Sequence, residues 1–432
     1  MRFKDGEDGL RQRRAAGWRR FMSFAVLVGS GVYAGVIGPA CAPARPPLAL
    51  APPLPEREAG PLSPQHLAHA STGMSATVAA AAAPGLEEVG GVLQLTFPVG
   101  GEQPIRCFIY PHAVPLAQTL RTFVVNVQAR AAEHRITDLD AGEMGGQPYL
   151  RVATRYRLAG DPAEGAVKYL ASRGARMTTL CLHDEPGYTE TFERLVGQLV
   201  GSLRLAEDPA AHPQVLAWHG IFVGRSRQHG ATVVDSQLLA GATRHAYSTM
   251  TSSLEVLADG VLQATDATDT QFSTVDGRVL ASLHTQVRDG ELQHALRLMA
   301  GSTPQQYLLS GQLGARHLDE ILLAHEALSD QFAMIARLRQ LGHSVGASGG
   351  SSAAGTDAAS ADVAFEVYNP AQPLAITTAH VRPLERRRQS IEAWVEDGQA
   401  RHRVVFDRRG LLLRSDDLTS QVQRVWQDRS LL

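Results

Sequence analysis

Cys181, His183 and Asp184 put a thiol, an imidazole and a carboxylate within four residues, the groups that nucleophilic catalysis by a thiolate would use. They close an apolar run, Ala175–Leu182, that reads as a strand. On a strand, residues 181 and 183 share a face only as neighbours along the chain, and no helix N-terminus stands ready to lower the thiol pKa. A core or disulfide cysteine is therefore favoured over a nucleophile. Gly346-Ala347-Ser348-Gly349-Gly350 matches the letters of a nucleophile elbow. It lies in a Gly/Ser/Ala stretch without the strand and helix that present such a serine. Asp416-Asp417 lies beside turns and reads as a solvated pair, and Arg386-Arg387-Arg388 reads as an exposed face or a contact for anionic headgroups. His66 and His69, the closest of 16 histidines, fall in a linker and make a poor metal site. No P-loop, HExxH, CxxC or Rossmann glycine pattern occurs, and the sequence assigns no catalytic residue, metal ligand or cofactor.

What must be positioned, and where, starts with the address. Arg11, Arg13, Arg14, Arg19 and Arg20 precede an uncharged run from Phe21 to Ala40 that ends in Gly38-Pro39-Ala40-Cys41. A basic head, an apolar middle and a small-residue exit make residues 1–41 an export signal. Three fates stay open: acylation of Cys41 as in a bacterial lipoprotein, simple cleavage near Ala40, or an uncleaved anchor of ~20 residues. The first leaves Cys107 and Cys181 as an even pair in an oxidising compartment, which points to a Cys107–Cys181 disulfide; two buried free thiols are the alternative. The 41 basic and 43 acidic residues nearly cancel, so no global field draws the chain to nucleic acid.

The 432 residues suffice for two or three domains. Residues 42–85, rich in proline and alanine, read as a disordered tether. In 86–206, Val92–Phe97, Ile105–Tyr110 and Tyr149–Leu158 alternate like strands. Leu116, Leu120, Phe123, Val124 and Val127 lie on one helical face, as do Phe192, Leu195, Val196, Leu199 and Leu203. Asp161-Pro162-Ala163-Glu164 resembles a helix start, but a hairpin arm over Ala166–Ser172 is preferred. In 215–432, Asp259-Gly260, Asp276-Gly277 and Asp289-Gly290 separate alternating runs, the signature of an antiparallel meander. A helix is expected over 317–341, with Leu318, Ile321, Leu322, Leu328, Phe332, Ile335 and Leu338 on its apolar side, followed by a flexible insertion at 343–362. The expected class is α+β: an N-terminal antiparallel sheet with two helices, then a larger, mainly antiparallel β domain with one long helix.

Cys181-Leu182-His183, Tyr188, Phe192 and Ser202-Leu203, within 88–206, resemble the closing strand and helix of small bacterial envelope domains of the PsbP-like fold. That resemblance implies a binding or assembly module and brings no catalytic residue. The stretch from 215 to 432, through Trp218-His219-Gly220-Ile221-Phe222-Val223-Gly224, Tyr368-Asn369-Pro370 and Phe406–Ser415, resembles the β-rich domain ahead of the core of bacterial transglutaminase-like envelope proteins. No cysteine follows Cys181, so the resemblance brings no nucleophile. The expected function is a non-catalytic cell-envelope module, periplasmic or extracellular. It would meet the membrane through its lipid or signal anchor and a protein partner in the envelope. The alternatives are a lipid or lipoprotein carrier and an enzyme centred on Cys181 and His183.

Overall fold

The computed structural model describes residues 56–426 apart from 161–162, 175–176, 205–213, 224–227, 241–243, 258, 331–362, 371–372, 387–389, 397–400, 408–411 and 418–421. In its first half, period-two alternation sets most of the strands. A hairpin of β1 (Ser63–His69) and β2 (Met74–Ala80) precedes β3 (Gly85–Val89), β4 (Val92–Phe97) and β5 (Ile105–Tyr110). Helix α1 (Leu116–Gln128) leads to β6 (Ala131–Met144), β7 (Gln147–Leu158), β8 (Glu164–Arg173) and β9 (Thr178–Asp184), and helix α2 (Thr189–Ser202) closes the unit. Strands β3 to β9 form one antiparallel sheet in the order β3-β4-β5-β9-β8-β7-β6. One face, with Leu95, Phe97, Ile105 and Cys107, packs on α2 and the β1–β2 hairpin; the other, with Leu150, Val152, Val167 and Leu180, packs on α1.

Residues 63–80 are therefore not tether. Met74, Ala76, Val78 and Ala80 alternate inward and are buried. Thr77 N–H donates to Ser202 Oγ at 2.9 Å and Ala79 N–H to Gln198 Oε1 at 2.6 Å, tying the hairpin to α2. Composition hid this because alanine counts as linker material, whereas small side chains at every second position let a helix approach a strand closely. Residues 42–55 lie outside the described residues.

The second half is a 14-stranded antiparallel sheet. Eight strands follow as a meander: β10 (Gln214–Val223), β11 (Gln228–Ala240), β12 (Arg244–Val256), β13 (Leu262–Thr274), β14 (Val279–Arg288), β15 (Glu291–Ala300), β16 (Gln306–Leu313) and β17 (Arg316–Leu323). The chain resumes with β18 (Val363–Tyr368), β19 (Ile376–Arg386), β20 (Ser390–Glu396), β21 (Arg401–Asp407), β22 (Leu412–Asp417) and β23 (Val422–Trp426). β23 pairs with β10 and makes the two meanders one sheet. At the β14–β15 turn Asp289 and Gly290 both take positive φ, 54° and 87°, as a type I′ hairpin requires. Among the described residues the two ends of the sheet do not pair, but Tyr368 on β18 and Ile376 on β19 pack on the cluster that holds Leu318 and Leu322 of β17. Residues 324–330 cross the opening: Val279 N–H donates to Leu328 O, Ser329 N–H to Glu366 O, and His325 N–H to Glu366 Oε2 at 2.7 Å. Leu328 is buried beneath them with Tyr307, Leu309 and Leu318 on the inner face.

Two expectations fall here. The chain is mainly β, with 64% strand and 10% helix and two helices among the described residues, and not α+β. The helix expected over 317–341 is strand β17 up to Leu323, then the irregular crossing; 331–341 lies outside the described residues. The misreading has a plain cause. Leu318 and Leu322 are four apart, a spacing that shares a face on both a helix and a strand. Ile321 and Leu323 decide between them, at 61% and 75% exposed on the opposite side of a two-residue alternation.

The two units meet through α1 and along β6, where Gln228 Nε2 donates to Leu139 O at 3.1 Å. Pro115, its N-cap residue, offers no side-chain hydrogen bond. Asp266 on β13 takes that role, accepting from Ala117 N–H at 3.3 Å and Gln118 N–H at 2.9 Å, with Ser252 Oγ donating to the same carboxylate at 2.5 Å. Burial pushes the Asp266 carboxyl pKa up, and these hydrogen bonds oppose the rise. Around it, Leu116, Leu120 and Val124 pack on Leu254, Leu262 and Ala264. Nearby, Arg121 meets Asp289 at 2.8 Å and Gly290 N–H donates to Gln118 Oε1 at 2.7 Å. Asp266→Ala is expected to lower the unfolding free energy by about 2–3 kcal/mol, since it removes a cap and strands buried donors. Asp289→Asn, which tolerates the positive φ and keeps an acceptor for Ala264 N–H while removing the partly exposed ion pair, should cost below about 1 kcal/mol. Urea denaturation checks both; equal costs would mean the cap contributes no more than a surface pair.

Candidate functional site

The Cys-x-His-Asp run resolves into three separate roles. Cys107 on β5 and Cys181 on β9 are register partners and form a disulfide, with Cα atoms 4.0 Å apart and both residues fully buried. A sulfur held this way is not a thiolate nucleophile. His183, also fully buried, directs Nε2 to Gln103 O at 3.2 Å and packs edge-on against Tyr188. Beside it the buried Lys168 donates to Glu185 O at 2.9 Å and Gly187 O at 2.5 Å. Asp184 faces elsewhere, accepting from Tyr156 Oη at 2.6 Å. Together these groups pin the 185–188 turn that launches α2. Burial, with the Lys168 charge nearby, pushes the His183 pKa down to about 4, the Gln103 carbonyl and Glu185 opposing.

The start of α2 is capped from far away. Tyr188, its N-cap residue, sits in the left-handed region at φ 59° and makes no side-chain cap. Glu58 accepts from Glu190 N–H at 3.0 Å, Thr191 N–H at 2.8 Å and the Thr191 hydroxyl, while Glu56 accepts from Thr189 N–H at 2.9 Å. Negative charge at a helix N-terminus is favourable, so these carboxylates fix the chain entering the fold.

Other polar groups escaped the sequence reading. On the inner face of the large sheet, His284 and His294 stack with ring centroids 4.5 Å apart, and Asp269 lies against His284 Nδ1. Burial pushes His294 down to about 4, with Arg288 adding to the effect. Only cross-strand register brings these three together, so no local motif announces them.

The outer face carries two further features. Ser390 and Glu392 on β20, Arg403 and Val405 on β21, and Arg414 and Asp416 on β22 line a cavity of about 180 Å³. Arg403 Nε pairs with Glu392 Oε1, and Arg414 Nε lies 2.8 Å and 3.0 Å from the two Asp416 oxygens. Asp416 is thus a buried, paired carboxylate, where the Asp-Asp doublet had read as solvated. Arg401 stacks over Trp394 at 4.5 Å beside this group. The second feature is apolar: Met299, Leu308 and Ile321 form one cross-strand row on β15, β16 and β17, all exposed, with Leu323 beside them. Among the described residues β17 pairs with β16 alone, so this row lies on the last strand of the described sheet.

Cys41, Ser348, Arg387 and Arg388 lie outside the described residues; Arg386 ends β19. His66 pairs loosely with Thr77, and His69 with Thr72 and Glu88, on the β1–β2 hairpin. Among the described residues no group of three or more His, Cys, Asp or Glu is placed to hold a metal ion, and no helix is long and apolar enough to cross a membrane.

No family model matches the chain, and no curated protein matches it. Among solved structures it is similar to the crystal structure of a β-barrel-like protein of the domain of unknown function DUF1849 from Brucella abortus. Identity there is 9% over 50% of this chain and 96% of that one, with a TM-score of 0.37.

Two measurements probe the Cys181–His183 region. His183 has a folded pKa below its unfolded value of ~6.5, so its contribution is whole above pH 6.5 and is lost as pH falls toward 4. That loss amounts to about 3 kcal/mol at most. Stability measured from pH 7 to 4 should fall less steeply in His183→Gln than in the parent; parallel curves would show that the ring titrates normally. Replacing both Cys107 and Cys181 by Ala should cost ~4 kcal/mol, since the bond closes a long loop.

Proposed function

We propose that this protein is a non-catalytic binding or assembly module of the bacterial cell envelope. In this reading it is exported behind residues 1–41 and held at the membrane by an acylated Cys41, or by the signal if it stays uncleaved. The observation that carries the reading is the exposed Met299–Leu308–Ile321 row beside the edge of β17, which has no further strand on it among the described residues. Contiguous apolar surface of this kind marks interaction sites, and an open edge adds unpaired backbone groups. The occupant that fits both is an extended segment of a protein partner. It would add a strand to β17 and set its own apolar side chains beside Ile321 and Leu323. The disulfide suits an oxidising compartment, in keeping with export.

Leu308→Glu combined with Ile321→Glu should leave the thermal midpoint within a few degrees, because both side chains already face water. The same pair should abolish rescue of a gene-deletion phenotype. Leu318→Glu, one residue out of phase and buried, should lose the fold itself. Full rescue by the folded double variant would remove the docking face from consideration. Intact-mass analysis of the membrane-extracted protein should find a diacylated N-terminal Cys41; an unmodified start at or after Ala42 would leave the module soluble and the lipoprotein assignment wrong.

A further inference from the structure

We infer that the cavity on the outer face of β20, β21 and β22 binds a small zwitterion of amino-acid size, with one carboxylate and one ammonium group. The register supplies the first argument. Glu392 pairs with Val405, and Val405 pairs with Arg414, so a carboxylate and a guanidinium lie in one cross-strand row with a single apolar residue between them. Neighbouring strands are about 4.8 Å apart, which puts the two backbone positions about 10 Å apart. Two side chains leaning inward from that separation bracket a ligand of a few bonds, its carbon skeleton resting on Val405.

The second argument is burial. The side chains of Glu392 and Asp416 are each 9% exposed, whereas those of Arg403 and Arg414 are 48% and 45% exposed. Carboxylates form the floor and guanidiniums the rim. Taking carboxylates out of water is costly, and the pairing offsets rather than exceeds that cost. Such an arrangement is weak as a stabilising device and is better explained as a preorganised polar site. Bonding capacity remains: only Oε1 of Glu392 and only Nε of Arg414 have partners among the described residues. Glu392 Oε2 can accept from an ammonium, and the terminal Arg414 nitrogens can donate to a carboxylate in a fork.

Charge balance selects the ligand class. The four ionised groups sum to zero, so a simple anion or cation would leave the cavity with an unpaired charge. A zwitterion completes both ends at once. The volume agrees, since a cavity of about 150 Å³ admits a molecule the size of benzene. Ser390 adds a hydroxyl at the margin.

The purified protein would be titrated calorimetrically with glycine, alanine and glycylglycine, with acetate and methylammonium as single-charge probes. Binding of at least one zwitterion, at least tenfold tighter than either single-charge probe, is the expected result. The charge-neutral double variant Arg414→Gln/Asp416→Asn should lose it tenfold or more while keeping the circular dichroism spectrum. Val405→Trp leaves both ion pairs intact and fills the cavity, so it should also lose binding and stands in if the double variant fails to fold. No binding by any zwitterion, equal binding of acetate or methylammonium, or unchanged binding in Val405→Trp would each overturn the inference. None of these outcomes touches the β17 edge, so the site stands or falls apart from the proposed docking face.

Discussion

The carboxylate of Asp266 is the constraint on which the arrangement of the two units depends. Helix α1 belongs to the first unit by sequence, yet nothing near Pro115 satisfies its first N–H groups. The second unit supplies them from the middle of a strand, with Ser252 holding the carboxylate in place. A helix end left without partners in an apolar joint would be costly, so the Asp266 cap favours burying α1 against the large sheet in this register. Once it is buried, Leu254, Leu262 and Ala264 are covered. The outer face then remains open at β15–β17 and at β20–β22, the two places where unusual chemistry is found.

The same logic operates at α2. Its N-terminus is also uncapped by its own N-cap residue and borrows Glu56 and Glu58, more than a hundred residues earlier in the chain. Both helices therefore act as ties, each holding a remote segment by its first turn. The disulfide acts on the first tie. It joins β5 to β9 and encloses α1, β6, β7 and β8 in one covalent loop. The helix that reaches the second unit is thus carried on a loop whose base cannot open. The Cys107–Cys181 bond fixes the base, and Asp266 fixes the tip.

How legible this was in the sequence depends on the range of the signal. Val92–Phe97 and Ile105–Tyr110 alternate cleanly and are strands with those bounds; the hairpin arm after Pro162 is β8. The Asp-Gly turns lie between strands as read, because φ > 0 is a local demand. Leu318 and Leu322 misled, since a four-residue spacing fits both periods and the deciding exposure of Ile321 and Leu323 is a tertiary fact. The β1–β2 hairpin was lost to composition: Ala76 and Ala80 count as linker residues until α2 is seen packing on them. Asp266, Glu58, Glu392 and the His284–His294 stack carry no local signature. Each acquires its role from a partner on another strand or another unit, and a single sequence contains no register.

The difference between the two outer-face features follows from what each does to water. At Met299, Leu308 and Ile321 the sheet leaves apolar surface in solvent, a cost that only a covering surface removes. At Glu392 and Asp416 it does the reverse, withdrawing carboxylates from solvent and covering them with their own counter-charges. Neither is needed to hold the sheet, whose inner face is filled by Leu296, Tyr307, Leu309, Val381, Ala393 and Val404. A sheet face that merely met water would carry scattered, solvated charges and few large apolar groups. Here the apolar groups are in register across three strands, and the charges occupy two adjacent cross-strand rows of three others, Glu392–Val405–Arg414 and Trp394–Arg403–Asp416. Since register is shared by backbone pairing and side-chain placement alike, the pairing that builds the sheet also assembles both surfaces.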